Sequence, residues 1–151
     1  MTVEDRLALL ENEREIEQLK YRYARCCDGG YDLEGLRAIF VPEGRWAANG
    51  YGEFHGHQAI CDFFQELSES VVTVLHYVTA PQITIAKDGR TATGTFYLNC
   101  LSRVRRKEDR STIDFFVQMG VYSDTFVKTE AGWRFVSINV NVTHTERLNK
   151  T

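Results

Sequence analysis

The amino-acid sequence predicts an α+β fold in which three N-terminal helices pack on a strongly curved antiparallel or mixed sheet. Apolar residues recur at three- and four-residue steps before residue 70, and they alternate at every second position from residue 71 onward. Runs of helix followed by runs of strand are typical of α+β proteins with an antiparallel sheet. Two of the predicted strands are about 15 residues long, well above the usual length, so they must twist and bend. We therefore expect a cone-shaped sheet, closed by the helices, that encloses a pocket.

Length and composition indicate a single domain that spans residues 1–151. Hydrophobic residues make up 43% of the chain and charged residues 26%, which excludes a disordered chain, a coiled coil and a collagen. The apolar runs are too short for a membrane span, and the N-terminus lacks the features of a signal peptide. We therefore expect a cytoplasmic protein without a membrane partner. The net charge of −3 argues against a nucleic-acid partner.

Three segments have the apolar spacing of helices. The first runs over residues 3–28, ends at Gly29-Gly30, and places Lys20 off its apolar stripe. Its stripe consists of Leu7, Leu10, Ile16, Leu19, Tyr23 and Cys27. The second helix covers residues 33–40 and is capped by Asp32. The third covers residues 57–68, and its apolar face contains two adjacent phenylalanines.

The remaining segments have the pattern of strands. Asp88-Gly89 marks a hairpin turn between two of them. A polar tail that begins at His144 is expected to fray. The predicted strands cover residues 45–48, 71–78, 82–86, 91–105, 111–128 and 133–143.

His76 is the first candidate for chemistry, because strand alternation places its imidazole on one face with valines. Such a histidine either acts as a general base near neutral pH or is a core histidine that bonds to backbone or water. Asp28, at the end of the first helix, is either a pocket residue or a turn former. Tyr23, five residues earlier, is either a pocket residue or a core aromatic.

Other polar groups carry weaker signals. Asn99 shares a strand face with Tyr97, where it either orients a substrate oxygen or faces solvent. His55 and His57 have no third ligand at a diagnostic spacing, so we expect no metal site. The cysteines lack zinc-site spacing and are expected to be buried small hydrophobic residues; they are Cys26, Cys27, Cys61 and Cys100. Nucleotide-binding and serine-hydrolase motifs do not occur.

The order and spacing of several stretches resemble a known family. These stretches are 16–25 with Asp28, 36–40, 56–64 after Trp46, 76–79, 89–92, and 122–124 with 132–135. Together they are similar to SnoaL-like proteins of the NTF2-like superfamily, which have a cystatin-like cone fold. Within it the chain is most similar to the branch that holds scytalone dehydratase, bile-acid 7α-dehydratase and the lindane dehydrochlorinase.

The resemblance implies a catalytic dyad, with His76 as the base and Asp28 holding its tautomer. Tyr23 matches a pocket tyrosine of the bile-acid enzyme and is expected to donate a hydrogen bond. Two positions depart from the branch: Ile138 stands where a last-strand arginine is frequent, and Asn99 falls near the place of a second acid. These departures argue against anionic substrates and against dehydrochlorination.

The expected function is that of a cofactor-independent dehydratase or isomerase-type lyase for a hydrophobic cyclic molecule, steroid-like, aromatic or polyketide. The expected substrate-binding residues are Trp46, Val74, Val78, Tyr97, Asn99, Tyr122, Ile138 and Val140. Three alternatives stay open: a polyketide cyclase, a non-catalytic subunit like the small subunit of ring-hydroxylating dioxygenases, and a ligand-binding protein. The resemblance also implies a homo-oligomer, with a trimer favoured over a dimer.

Overall fold

The computed structural model describes residues 1–148, and in this range three helices pack on one side of a mixed sheet. The first helix, α1 (Val3–Asp28), begins at Thr2 with a capping box: the Thr2 hydroxyl accepts from the Asp5 backbone N–H at 3.1 Å, and the Asp5 carboxylate accepts from the Thr2 backbone N–H at 2.8 Å. It ends before Gly29, as predicted, and none of the described helices is long and apolar enough to cross a membrane.

The other two helices are short and flank the first strand. In α2 (Leu33–Ile39) the Asp32 carboxylate accepts from the Gly35 backbone N–H at 3.1 Å, which confirms the predicted cap. The predicted last residue of this helix, Phe40, instead begins the first strand. The third helix, α3 (Gly56–Ser70), is slightly longer than predicted and buries Phe63 and Phe64.

The strands of the described range form one sheet that remains open. Their order across the sheet is β2-β1-β6-β5-β4-β3. Only β1 and β6 pair in parallel, and all the other neighbours are antiparallel. The strands are β1 (Phe40–Ala48), β2 (Gly52–His55), β3 (Val71–Ile85), β4 (Thr91–Arg105), β5 (Ile113–Thr129) and β6 (Gly132–Arg147).

Several strand boundaries differ from the prediction. The strands expected over 71–78 and 82–86 are one strand, β3, whose pairing with β4 shifts between Thr79 and Gln82. Ala80 has φ 52° there and Pro81 has no N–H to donate, so the ladder breaks locally while the chain continues. The short β2 was not predicted. The expected fraying from His144 is wrong up to residue 147, because His144 pairs with Met119; residues 149–151 of that tail lie outside the described range.

The core lies between the helices and the inner face of the sheet. Aromatic side chains fill most of it: Tyr23, Trp46, Phe64, Phe96, Tyr122, Phe126, Trp133 and Phe135 are all buried. All four cysteines are buried and unpaired, as expected. The first turns of α1 extend beyond this core, so that Leu7 and Leu10 of the predicted apolar stripe are exposed.

The prediction that Lys20 lies off the buried face of α1 is wrong, because its side chain is 0% exposed. Its Nζ donates to Asp124 Oδ2 of β5 at 2.8 Å and lies 3.1 Å from the centre of the Tyr122 ring. Burial lowers the pKa of Lys20 to about 8, against the attraction of Asp124, and burial also raises the pKa of Asp124. The two charges of this pair are stabilised in the core by each other, by the surrounding rings and, at Asp124, by the Asn139 backbone N–H.

Removing one partner of this pair is expected to leave a buried charge without compensation. We expect Lys20→Met to lower the free energy of unfolding by about 3–5 kcal/mol. Adding Asp124→Leu to that variant removes the second charge and is expected to recover part of the loss. Urea unfolding followed by circular dichroism measures both. Arg14→Met, at an exposed helix pair, serves as the control and is expected to change stability by less than about 0.5 kcal/mol. A double variant as unstable as Lys20→Met would contradict this account.

Candidate active site

A cavity of about 300 Å³ lies between α1, α3 and the inner face of the sheet. Its walls are mainly apolar and aromatic, which is typical of small-molecule sites. Six of the residues predicted to form the site line it: Tyr23, Trp46, Val74, His76, Tyr122 and Val140. Tyr51, in the turn between β1 and β2, also lines the cavity and meets the indole of Trp46 edge to face, with ring centroids 6.3 Å apart.

Four of the eight predicted substrate-binding residues do not line the cavity. Tyr97 and Asn99 point to the outer face of β4, where Tyr97 is 59% exposed, because strand alternation turns Leu98 and Cys100 inward. Ile138 is fully buried but lies in the core away from the cavity. Val78 lies beyond the cavity, at the outer cleft between α1 and β3. The predicted pocket positions on β4 were therefore out of phase by one residue.

Asp28 and His76 are in direct contact, although 48 positions separate them in sequence. The Asp28 Oδ1 atom lies 2.7 Å from His76 Nδ1, and the same carboxylate accepts from the His76 backbone N–H at 3.0 and 3.2 Å. Because an ionised carboxylate only accepts, Nδ1 carries the proton and Nε2 is left to act on a ligand. The last residue of α1 thereby determines both the position and the tautomer of the imidazole at the cavity wall.

The surroundings of His76 act on its pKa in opposite directions. Burial lowers the pKa of His76. The hydrogen bond to Asp28 and the interaction with the Cys100 sulfur raise it by more, so that the pKa is about 9. Cys100 is the register partner of His76 on β4 and also lines the cavity. His76 is therefore a strong base that carries a proton through the neutral pH range.

Two tyrosines supply hydroxyl groups to the same wall. The Tyr23 oxygen accepts from Trp46 Nε1 at 2.8 Å, and its hydroxyl also interacts with the Cys27 thiol and the Tyr122 hydroxyl. Burial raises the pKa of both Tyr23 and Tyr122, which keeps their hydroxyls protonated. The rings of Tyr23 and His76 meet edge to face, with centroids 6.4 Å apart. A hydrogen-bond donor and a proton acceptor thus lie side by side.

Sequence reasoning missed several polar residues of the cavity, among them Cys100, Tyr51 and Gln118. Cys100 was treated as a small hydrophobic residue, although alternation from buried Leu98 would have placed it inward. Tyr51 follows an Asn-Gly turn and donates to Gln118 Oε1 at 3.0 Å. Neither Tyr51 nor Gln118 shows a local signal, because their contact joins a turn to a strand 67 positions away.

The two histidines that flank Gly56 each bond to a different partner. His57 Nε2 lies 2.9 Å from the Phe40 carbonyl oxygen, whereas His55 Nε2 lies 2.7 Å from Glu53 Oε1. Over residues 1–148, no three side chains of the histidine, cysteine, aspartate and glutamate types form a group that could hold a metal ion.

The fold and the site define a class: an α+β cone whose first helix ends in an aspartate bonded to a cavity histidine. A family model of the SnoaL-like domain matches residues 8–139, and the chain belongs to this family. The resemblance found in the sequence is thereby confirmed.

Solved structures share the fold across almost the whole chain. Hexachlorocyclohexane dehydrochlorinase LinA, type 2, is 17% identical, with a TM-score of 0.84 over 96% of this chain and 94% of that chain. A proposed scytalone dehydratase from Novosphingobium aromaticivorans is 19% identical, with a TM-score of 0.81 over 95% and 92%. An NTF2-like protein with a cystatin-like fold from the same species is 27% identical, with a TM-score of 0.72 over 93% and 88%. The chain therefore has the NTF2-like, cystatin-like fold that was predicted.

Replacing the carboxylate of Asp28 by an amide is expected to lower the pKa of His76. Asp28→Asn keeps an acceptor oxygen but removes the charge, so burial then dominates and the pKa falls from about 9 to the ordinary value of about 6.5 or below. Titration of the His76 ring protons by NMR measures the shift. Asp62→Asn, which removes a carboxylate from the exposed side of α3, is the matched control and should leave the titration of His76 unchanged. An unchanged pKa in Asp28→Asn would show that Asp28 does not influence the base.

Proposed function

We propose that this protein is a lyase or isomerase that removes a proton from a carbon atom next to a carbonyl group. The observation that carries the proposal is the His76 imidazole, held by Asp28 on one side and open to an apolar cavity on the other. Perturbed histidines in cavities are candidates for general bases, because proton transfer needs a positioned group with a suitable pKa. Members of the same fold named as dehydrochlorinase and as proposed dehydratase support elimination chemistry.

In the proposed reaction, neutral His76 takes the carbon-bound proton at Nε2, and the electron pair moves into an enolate. The negative charge of Asp28 stabilises the imidazolium that results. Tyr23 donates a hydrogen bond to the enolate oxygen. When a hydroxyl group occupies the β position, the enolate re-forms the carbonyl, the carbon–carbon double bond forms, and the hydroxyl leaves with a proton from the imidazolium. All these steps are proton transfers or bond changes within the substrate, so they need no cofactor.

The walls of the cavity determine the class of substrate that we propose. Valines and aromatic rings dominate the lining, which favours a hydrophobic cyclic compound. A volume of about 300 Å³ is at the lower end of the range for small-molecule sites. Compact aromatic or polyketide rings therefore fit better than a steroid-sized compound.

The charge of the lining limits the leaving group. Among the described residues that line the cavity, none is an arginine or a lysine. The place of the last-strand arginine found in the resembling branch is Ile138, which is buried away from the cavity. Because no arginine or lysine is there to stabilise a departing chloride, we propose elimination of a hydroxyl group that receives its proton from His76.

Loss of the base is expected to abolish most of the activity. The probe is 3-hydroxy-1-tetralone, a two-ring β-hydroxy ketone whose dehydration yields fluorescent 1-naphthol. We expect His76→Gln to lower kcat/KM by roughly 10²–10⁴-fold, the usual contribution of a positioned base. His55→Gln, at an exposed histidine that does not line the cavity, is the control. Because the base must be neutral, kcat/KM of the wild type should rise as the pH increases through about 9.

A second probe shows whether a negative result means that the proposed leaving group is wrong or that proton abstraction itself does not occur. The parent ketone 1-tetralone has no β-hydroxyl group, so only its C2 protons can respond. The wild type should accelerate their exchange with deuterated water, and His76→Gln should not. Binding of both compounds, detected by a thermal shift, without dehydration or exchange would favour a ligand-binding protein. Conversion of an open-chain polyketide to a ring by the same base would favour a cyclase.

The outer face of the sheet supports the expected homo-oligomer, which we also propose. Leu75 and Tyr77 of β3, Tyr97 of β4 and Met119 of β5 are all exposed there. They lie on neighbouring strands, since Tyr77 pairs with Asn99 and Asn99 with Met119. Contiguous apolar surface of this kind is typical of interfaces. A second copy of the same face is the partner that we propose.

A charge placed in the middle of this face should weaken the assembly. We expect the wild type to have a mass in solution that is a multiple of 17.4 kDa, and Tyr97→Lys to shift it toward 17.4 kDa. Light scattering after size exclusion measures the mass over a range of concentrations. Glu130→Lys, in the exposed turn between β5 and β6, should leave the mass unchanged. A monomeric wild type at every concentration would refute the proposal.

A further inference from the structure

Cys100 is a nucleophilic group in the cavity that the proposed lyase reaction does not use. It is the register partner of His76 across the β3–β4 ladder, and both side chains line the cavity. His76 is in turn bonded to Asp28 through Nδ1. Thiol, imidazole and carboxylate are thus adjacent in the order that activates a nucleophile: a base next to the thiol, and a carboxylate that orients the base.

The other cysteines of the chain lack this environment. Cys26 and Cys27 lie on α1, where burial raises the pKa of both thiols and so disfavours the reactive thiolate. The Cys61 thiol lies on α3 and faces the Leu33 carbonyl oxygen at 3.8 Å. Cys100 is the one cysteine among the four that lines the cavity. The four cysteines therefore offer a comparison between one thiol at the cavity beside His76 and three thiols away from it.

We propose that Cys100 is a site of covalent addition for α,β-unsaturated carbonyl compounds that enter the cavity. Three features favour this class. A thiolate is a soft nucleophile that adds to a conjugated carbon without the need for a leaving group. The apolar walls favour an uncharged cyclic compound. The hydroxyls of Tyr23 and Tyr122 face the same cavity and can donate to the carbonyl oxygen.

The addition balances without an oxidant or a reductant. In the neutral form of His76, which becomes populated as the pH approaches about 9, the thiol proton moves to Nε2 and leaves a thiolate beside an imidazolium. The sulfur attacks the β carbon, a carbon–sulfur bond forms, and the π electrons move to the carbonyl oxygen as an enolate. The imidazolium then returns the proton to the α carbon. The net change is the addition of S–H across the carbon–carbon double bond, and the ring remains attached to Cys100.

The test uses 2-cyclohexen-1-one as the electrophile and mass spectrometry of the intact chain and of its peptides. We expect one adduct per chain, on Cys100, while Cys26, Cys27 and Cys61 remain unmodified. Cys100→Ser should remove the adduct, whereas Cys61→Ser, the matched control at a buried thiol outside the cavity, should not. Saturated cyclohexanone, which has the same ring without the double bond, should slow the labelling by competition for the cavity. This test requires no turnover, so its result is independent of the proposed lyase activity.

The role of the imidazole is tested by the rate of labelling. His76→Gln should slow the addition to Cys100 by about 100-fold, the usual contribution of a positioned base. Asp28→Asn should slow it to a smaller extent, which gives a second measurement if the first variant unfolds. A wild type without an adduct, equal labelling of the other cysteines, or equal rates in wild type and both variants would each overturn the proposal.

Discussion

The position of α1 on the sheet depends on the buried ion pair between Lys20 and Asp124. This contact joins the middle of α1 to β5 through the centre of the core. Two charges are tolerated there because each is the partner of the other, while aromatic rings surround the ammonium group and the Asn139 backbone N–H donates to Asp124 at 3.3 Å. Sliding or rotating the helix would separate two buried charges, which costs more free energy than shifting an apolar contact.

The geometry of the candidate active site follows from that position. Asp28 lies eight residues after Lys20 on the same helix, which is about 12 Å along the axis. Because Lys20 fixes the position and rotation of α1, the carboxylate of its last residue, Asp28, lies against β3. There the carboxylate bonds to both the backbone N–H and the ring of His76. Tyr23, three residues after Lys20, reaches the cavity from the same face. A core contact without a direct chemical role thus positions the acid–base groups.

The fold was largely predictable from the sequence, because periodicity and turn signals are local. The bounds of α1 and β4 agree with the prediction, and the turn at Asp88-Gly89 joins two strands as expected. The pocket was predictable only in part. Tyr97 and Asn99 were assigned to the wrong face of β4, since the resemblance aligned the strand without specifying its phase, and a shift of one residue reverses every side chain. The burial of Lys20 was missed because lysines are normally solvated, and nothing local to α1 indicates its partner 104 residues away.

The strength of His76 as a base comes from a local excess of negative charge. Asp28 is the last residue of α1, and the C-terminal end of a helix already carries a partial negative charge. A positive charge on His76 is attracted by both the carboxylate and the helix end, so the folded protein favours the imidazolium over the neutral ring. Burial acts in the opposite direction, because an apolar cavity solvates the imidazolium poorly. A hydrophobic ligand that displaces water from the cavity makes the solvation of the imidazolium poorer still and so lowers the pKa of His76. Binding of the substrate therefore brings the imidazole closer to the neutral form that proton abstraction requires.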